Sequence, residues 1–473
     1  DGLVCARGVP YGTAARFEAA QPARPWPGVR DATQPGAVCP QRPSRLGFVT
    51  GPVLDGLSTS EDCLVLSVTA PAHAHRLPVM VWFHGGAYYV QEPASMFLEH
   101  AFRSLKLPSR ALVLDLCGAP GGKTTHLLSL LRPGDLLVSN EVIRNRAAIL
   151  VENCVKWGFP NMVVTNNDPA DFGKVKELFD LIITDAPCSG EGLFRKDAAS
   201  LREWSPENAA LCAARQKRIL AEAWKCLKPG GTLIYSTCTW NPEENEKNME
   251  WLVTESEAVS VELKPEPAWN IHTLRYRNIT GYQFLPHKAP GEGFFLAVVR
   301  KPGMPGPTSF PGLPLKQLLP VRKSAAASFA HWIQPGLPWT FLARGNEIFL
   351  FPEPWLPALS LFEKQLRILQ PGTTVATTVN DQFNPHPALA HSLFLKRDAF
   401  PCVMPGLADA IRFLHREGIP AGQAGKGWVL VTYRDVPLGW LKNLEHRTNN
   451  YFPPDRRIRM AIKDVPIPWH ERF

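Results

Sequence analysis

An aspartate and a cysteine three residues apart, Asp185 and Cys188 in the run DAPCSGEG, follow an apolar stretch over Phe179–Thr184 that reads as a buried parallel strand. In an open α/β sheet, ligands gather where such strands end. A carboxylate at that point can hold a proton or the edge of a base, and a thiolate is the most nucleophilic side chain near neutral pH. The same letters also suit a small buried cysteine in a Pro-Gly turn. A second cysteine, Cys238 in STCT, closes a strand expected over Thr232–Tyr235. Both sulfurs are therefore expected to face one crevice.

The elements that must position these residues can be followed along the chain. A strand over Ala111–Leu116 runs into Asp115 and the turn CGAPGGKT, and a helix follows. Glycines there let backbone approach a ligand, with helix N–H groups pointing at it. A phosphate-binding loop would need glycine where Cys117 stands, and Pro120 restricts the loop further. A dinucleotide G-x-G-x-x-G spacing does not fit either, which leaves a nucleoside cofactor bound without phosphates. The strand Leu136–Asn140 ends in Glu141, where an acid can accept ribose hydroxyls. A helix over Arg144–Trp157 and a strand over Met162–Thr165 lead to Asn166, Asn167 and Asp168, able to bond an adenine edge. A helix over Pro206–Leu227 is expected to break at Lys228-Pro229-Gly230-Gly231, another to begin near Pro242-Glu243-Glu244, and a closing strand to cover Gly293–Arg300. Alternating strands and helices predict a doubly wound parallel sheet.

Chain length, 473 residues, corresponds to about three domains. A net charge of +8 is compatible with a polyanionic partner. Ten cysteines form no CxxC pair and no Cys/His cluster at ligand spacing, so neither a zinc site nor a disulfide scaffold is expected, and a reducing cytoplasm fits. No apolar run reaches the ~20 residues of a membrane helix, and no charged-then-apolar leader is read at the front.

Residues 1–87 are rich in Pro, Gly, Ala and Arg. Their runs GVPYGTAARFEAAQPARPWPGVRDAT, SEDCLVLSVTAP and LPVMVWFHGGA resemble the amino-terminal part of the type-B carboxylesterases. The apolar run Leu77–Phe83 reads as a strand leading into His84–Ala87, and the resemblance implies oxyanion-hole donors in His84–Ala87 and a pairing of Cys39 with Cys63. The G-x-S-x-G elbow that supplies an esterase nucleophile is missing downstream, so ester hydrolysis is not expected.

From about residue 88 the motifs LDLCGAPGGKT, NEVIRNRA, NNDPADF, DAPCSGEG and STCTWNPEENE, in this order, resemble the Sun-type RNA cytosine-5 methyltransferases, close to the bacterial 16S rRNA enzymes. The resemblance implies a Rossmann-like α/β fold and S-adenosylmethionine held by Cys117, Gly118, Ala119, Pro120, Gly121, Gly122 and Lys123. It puts Glu141 at the ribose, Asp168 at the adenine and Asp185 near the methyl group and the base. It makes Cys238 the nucleophile and Cys188 the residue that assists product release, with Lys123 and Asp185 steadying the ring. The linker Lys301-Pro-Gly-Met-Pro-Gly-Pro-Thr closes a catalytic domain over residues 88–303 and precedes a small subdomain over 304–375, and the resemblance further implies a PUA-like RNA-binding domain over 376–473. There GWLKNLEHRTNNYFPPDRRIRM interleaves basic and aromatic residues suited to phosphate contact and base stacking. The chain thus reads as a chimera of an esterase fragment and an RNA methyltransferase, with 16S rRNA or the small ribosomal subunit as partner. A tRNA substrate, or an inactive fusion that only binds RNA or cofactor, are the alternatives.

Overall fold

A computed structural model describes residues 92–459 except 196–197, 290, 305 and 307–309, and before them residues 3–10, 12–13, 21–23, 25–34, 36–37, 58, 60 and 65–71. The chain divides into two compact units, one of residues 1–90, 193–203 and 462–473, the other of residues 91–192 and 204–461. In the first, Leu3–Pro10 pairs antiparallel with Val65–Pro71, the register shifting between Ala6 and Val9. The expected strand Leu77–Phe83, the His84–Ala87 donors and the Cys39–Cys63 pairing lie outside the described residues.

The second unit is built on a ten-stranded sheet. Its labelled strands are β1 (Leu112–Asp115), β2 (Leu136–Asn140), β3 (Met162–Thr165), β4 (Phe179–Asp185), β5 (Leu227–Thr237), β6 (His272–Tyr276), β7 (Ile279–Phe284), β8 (Phe294–Arg300) and β9 (Ile368–Pro371). They lie in the order β6-β7-β8-β5-β4-β1-β2-β3-β9, and the tenth, Val259–Ser260, pairs with β8. The middle five are parallel, and every residue of β1, β2 and β3 is buried, as expected where helices cover both faces. Helices α1 (Gly122–Leu130) and α2 (Arg144–Trp157) bury Leu127, Leu128, Leu150 and Cys154 in one apolar cluster. Helices α3 (Pro206–Cys226) and α4 (Glu246–Ser256) bury Ile219, Leu220, Met249 and Leu252 in another.

Two expectations are corrected here. Lys228–Gly231 does not separate a helix from a strand: it lies inside β5, bulging between the Phe179↔Leu227 and Leu181↔Thr232 pairs. Gly230 takes a φ of +75° there and donates its N–H to the Lys301 carbonyl, while buried Lys228 donates to Asp180 at 2.6 Å. Helix α4 begins at Glu246 rather than near Pro242, because Asn241 Oδ1 accepts the Glu243 N–H and winds residues 241–245 into a turn.

Beyond residue 303 the chain forms a five-stranded sheet (Leu319–Pro320, Trp339–Arg344, Glu347–Pro352, Thr373–Val379, Gln382–Pro385) and a four-stranded one (Cys402–Val403, Gly427–Tyr433, Val436–Asn443, Thr448–Asn450). Leu350 and Val375 of the first share a core with Leu430 and Trp440 of the second. Between Glu347–Pro352 and Thr373–Val379, β9 leaves the five-stranded sheet's span to pair antiparallel with β3. Trp440 and Phe452 are buried rather than available for base stacking, since each completes an apolar cluster. Among the described residues no helix is long and apolar enough to cross a membrane.

Candidate active site

The turn after β1 is fixed from beneath. Gly121 precedes α1 with a φ of +115°, which favours glycine. At Gly118 a Cβ would stand 2.2 Å from Ser139 Oγ, so the backbone lies directly on β2. Asn140 Nδ2 donates to the carbonyls of Leu116 (3.3 Å) and Asn167 (3.0 Å), tying the ends of β1, β2 and β3 together. From α2, Arg146 donates to the Ala119 carbonyl and Asn153 to that of Pro120, each at 2.8 Å. The expected ligand residues Cys117 to Lys123 are therefore held as one backbone surface.

Glu141 is buried at the end of β2, where Oε1 accepts the Ile143 N–H at 2.9 Å and Arg146 lies 3.5 Å from Oε2. Asp168 is placed differently. Its side chain is 40% exposed, accepts the Ala170 N–H as a helix cap and pairs with Arg218 at 3.2 Å.

Asp185, at the end of β4, accepts from Lys123 Nζ and from Ser236 Oγ, both at 2.7 Å. Lys123 also lies over the Phe294 ring, 5.2 Å from its centroid. Burial works against its charge, but the neighbouring Asp185 carboxylate holds the ammonium above its ordinary pKa.

Cys188 and Cys238 meet with their sulfurs 3.0 Å apart. The pair is polarised. Donation of the Cys188 S–H to Cys238, reinforced by burial, holds Cys188 well above the usual thiol range, whereas the same hydrogen bond, with Lys123 nearby, lowers Cys238 against the opposing effects of burial and Asp185. Of the two, Cys238 is therefore the more readily ionised. Cys117 is pushed well up by burial and by three neighbouring carboxylates, which leaves it a neutral part of the turn.

Asp115 was not singled out from sequence. It is fully buried, Oδ2 accepts from Thr124 Oγ1 at 2.6 Å, and burial pushes its carboxyl up to about 7. Its Oδ1 has no hydrogen-bond partner among the described residues. Ser236 and Phe294 were missed as well, because only the sheet order brings β5 and β8 to the loops after β1 and β4.

This donor set fits a nucleoside cofactor that carries an ammonium and no phosphates. The unpartnered Asp115 Oδ1 is the group an ammonium would satisfy, Glu141 is an acid at a strand end, and the turn offers backbone rather than charge. Lys123, which by its position in the turn could serve a phosphate, is paired with Asp185 instead. Among the described residues no group of three His, Cys, Asp or Glu side chains is arranged to hold a metal.

Residues 103–300 match the family model described as 16S rRNA methyltransferase RsmB/F, and residues 400–458 match the methyltransferase RsmF PUA domain. Residues 7–104 match the carboxylesterase family. The ribosomal RNA small subunit methyltransferase F of Klebsiella pneumoniae is 33% identical over 78% of this chain and 77% of its own length. That of Serratia proteamaculans is 32% identical over 82% and 80%. A solved structure of NSun6 from Pyrococcus horikoshii with SFG is 27% identical over 48% of this chain and 56% of that one, with a TM-score of 0.40. On the length and identity of the curated matches, the chain belongs to the 16S rRNA methyltransferase RsmB/F family, RNA methyltransferases that use S-adenosylmethionine.

Proposed function

We propose that this enzyme methylates C5 of cytosine in 16S rRNA through a covalent bond between Cys238 and C6. The reading rests above all on the two sulfurs standing 3.0 Å apart at neighbouring strand ends, of which Cys238 is the more readily ionised.

Cytosine C5 is a poor nucleophile. When the Cys238 thiolate adds to C6, a C–S bond forms and the C5–C6 π pair becomes available at C5. S-adenosylmethionine, held by the Cys117–Lys123 turn, would supply an electrophilic methyl group to C5 and leave as the neutral thioether as its sulfonium–methyl bond breaks. Asp185, oriented by Lys123 and Ser236, would accept from the exocyclic amine, and from N3 once that nitrogen takes a proton as the adduct forms. After transfer the C5 proton passes to water, the C5–H electron pair re-forms the C5–C6 π bond, and the C–S bond breaks with its electron pair returning to Cys238. The Cys188 S–H, at hydrogen-bond distance, stabilises the departing thiolate. Glu141 would take the cofactor's ribose hydroxyls, Asp168 its adenine and Asp115 its ammonium.

The four-stranded C-terminal sheet supports an RNA-contacting role. Trp428 and Tyr451 meet edge to face at 4.5 Å, and Lys442 Nζ lies 5.1 Å from the Trp428 centroid, an aromatic and cationic pairing suited to an unpaired base. An rRNA substrate and a working thiolate both accord with a cytoplasmic setting. Incubation with undermethylated 16S rRNA and labelled methyl donor, followed by nucleoside digestion, is expected to yield 5-methylcytidine. Label in another nucleoside, or in none despite cofactor binding, overturns the reading.

A further inference from the structure

The two cysteine loops come from different strands, and what holds one against the other is a buried polar chain centred on Glu244. Its Oε2 accepts the Ser189 N–H at 3.0 Å and Gln216 Nε2 at 2.7 Å. Gln216, wholly buried on α3, also donates from Nε2 to the Pro187 carbonyl at 3.0 Å, and its Oε1 accepts from Asn248 at 3.1 Å. Pro187 and Ser189 flank Cys188, so the backbone on both sides of that cysteine is gripped. On the other loop, Thr239 Oγ1 lies 3.1 Å from Ser189 Oγ, and Asn245 Nδ2 donates to the Thr239 carbonyl at 3.0 Å. Glu244 itself is fixed through its carbonyl, which accepts the Tyr235 hydroxyl at 2.7 Å.

We propose that Glu244, acting with Gln216, is a positioning residue that sets the approach of Cys188 to Cys238 and so makes Cys188 able to assist product release. The inference rests on the roles given above to the two cysteines. Its logic is that of a hydrogen-bond acceptor. Glu244 Oε2 takes both bonds, while Oε1 is buried and has no partner among the described residues. A glutamine could present one oxygen to Ser189 and Gln216 and would not need its charge. Neither Glu244 nor Gln216 has a hydrogen bond to Cys238, so both act through the Cys188 loop.

The full chain carrying Glu244→Ala, Glu244→Gln, Gln216→Leu or Cys188→Ala is compared with the parent protein in four measurements. These are methyl-transfer turnover; the pH profile of Cys238 alkylation by iodoacetamide, followed by peptide mass spectrometry; the amount of covalent enzyme–RNA complex on a denaturing gel; and S-adenosylmethionine affinity. In Glu244→Ala and Gln216→Leu the alkylation profile is expected to move to higher pH, covalent complex to accumulate and turnover to fall by roughly 100-fold, a misplacement effect, with cofactor affinity little changed. Glu244→Gln is expected to restore the alkylation profile, the low level of covalent complex and turnover. Adding Cys188→Ala to Glu244→Ala should shift the profile no further, because both changes remove one hydrogen bond. Turnover lost with an unmoved alkylation profile and no trapped complex overturns the proposal, as does a Glu244→Gln protein as impaired as Glu244→Ala. If Cys188→Ala alone traps no complex, the release role of Cys188 falls, while the alkylation profiles still decide whether Glu244 positions it.

Discussion

Lys123 Nζ stands 2.7 Å from Asp185 Oδ2, joining the turn that would hold the cofactor to the loop that carries the first cysteine. Because Lys123 also lowers the Cys238 thiol, one cation serves both halves of the site. Replacing it with methionine is expected to cut methyl transfer by roughly 100-fold, the scale of losing one preorganised electrostatic partner. The alkylation profile of Cys238 should move to higher pH. Unchanged alkylation would mean that the lysine does not act on the thiolate.

Cys238→Ala is expected to abolish methylation. Cys188→Ala should instead leave enzyme bound to RNA, visible as a slow band on a denaturing gel. The opposite pattern, with Cys238→Ala active and Cys188→Ala dead without a band, would exchange the two roles.

Asp115 gives the site a pH dependence. Its folded pKa is raised from 3.8 to about 7, so without cofactor the folded chain holds that proton more tightly than the unfolded chain does. Its contribution to stability therefore falls as pH rises between those values. Asp115→Asn should stabilise the free protein at pH 8 and change little at low pH, as thermal unfolding would show. Calorimetric titration should find cofactor affinity rising through about pH 7 in the parent, where the carboxylate becomes charged, and no such rise in Asp115→Asn.

Gly118→Ala would force a methyl group to within 2.2 Å of Ser139 Oγ. A cost of about 1–3 kcal/mol, typical of overpacking, is expected together with weaker cofactor binding. Ser139→Ala in the same chain should recover part of the loss in a denaturant titration. No recovery would place the conflict elsewhere.

Trp428→Ala and Lys442→Ala are each expected to weaken RNA binding without unfolding the chain, the tryptophan by about 1–3 kcal/mol if one base stacks on it. Trp440→Ala, which opens the shared C-terminal core, should lower thermal stability instead. Fluorescence anisotropy with RNA, beside thermal melts, separates the two outcomes.

The parallel centre of the sheet is legible in the sequence because strands buried on both faces are continuous apolar runs bounded by turn residues. Leu136–Asn140 and Met162–Thr165 begin and end where the letters imply. The outer strands are harder to read. His272–Tyr276 is partly exposed and of mixed composition, and β9 is defined by its partner β3, about two hundred residues earlier in the chain. At the site, strand-end reasoning brings Cys188 and Cys238 together, but nothing local distinguishes buried Gln216 from the exposed polar residues of its helix. Glu244 misleads for a related reason: an acid ahead of a helix suits the dipole, and only the Asn241 turn directs it inward. Trp440 among basic residues has the same letters whether it stacks on RNA or fills a core.

The pairing of β9 with β3 also bears on synthesis. Residues 112–300 emerge from the ribosome with one edge of their sheet still uncovered, and that edge waits for Ile368–Pro371. A nascent chain stalled or truncated in between would present the exposed backbone of Met162–Thr165 to other strands, and would therefore be prone to aggregate before it could ever act on RNA.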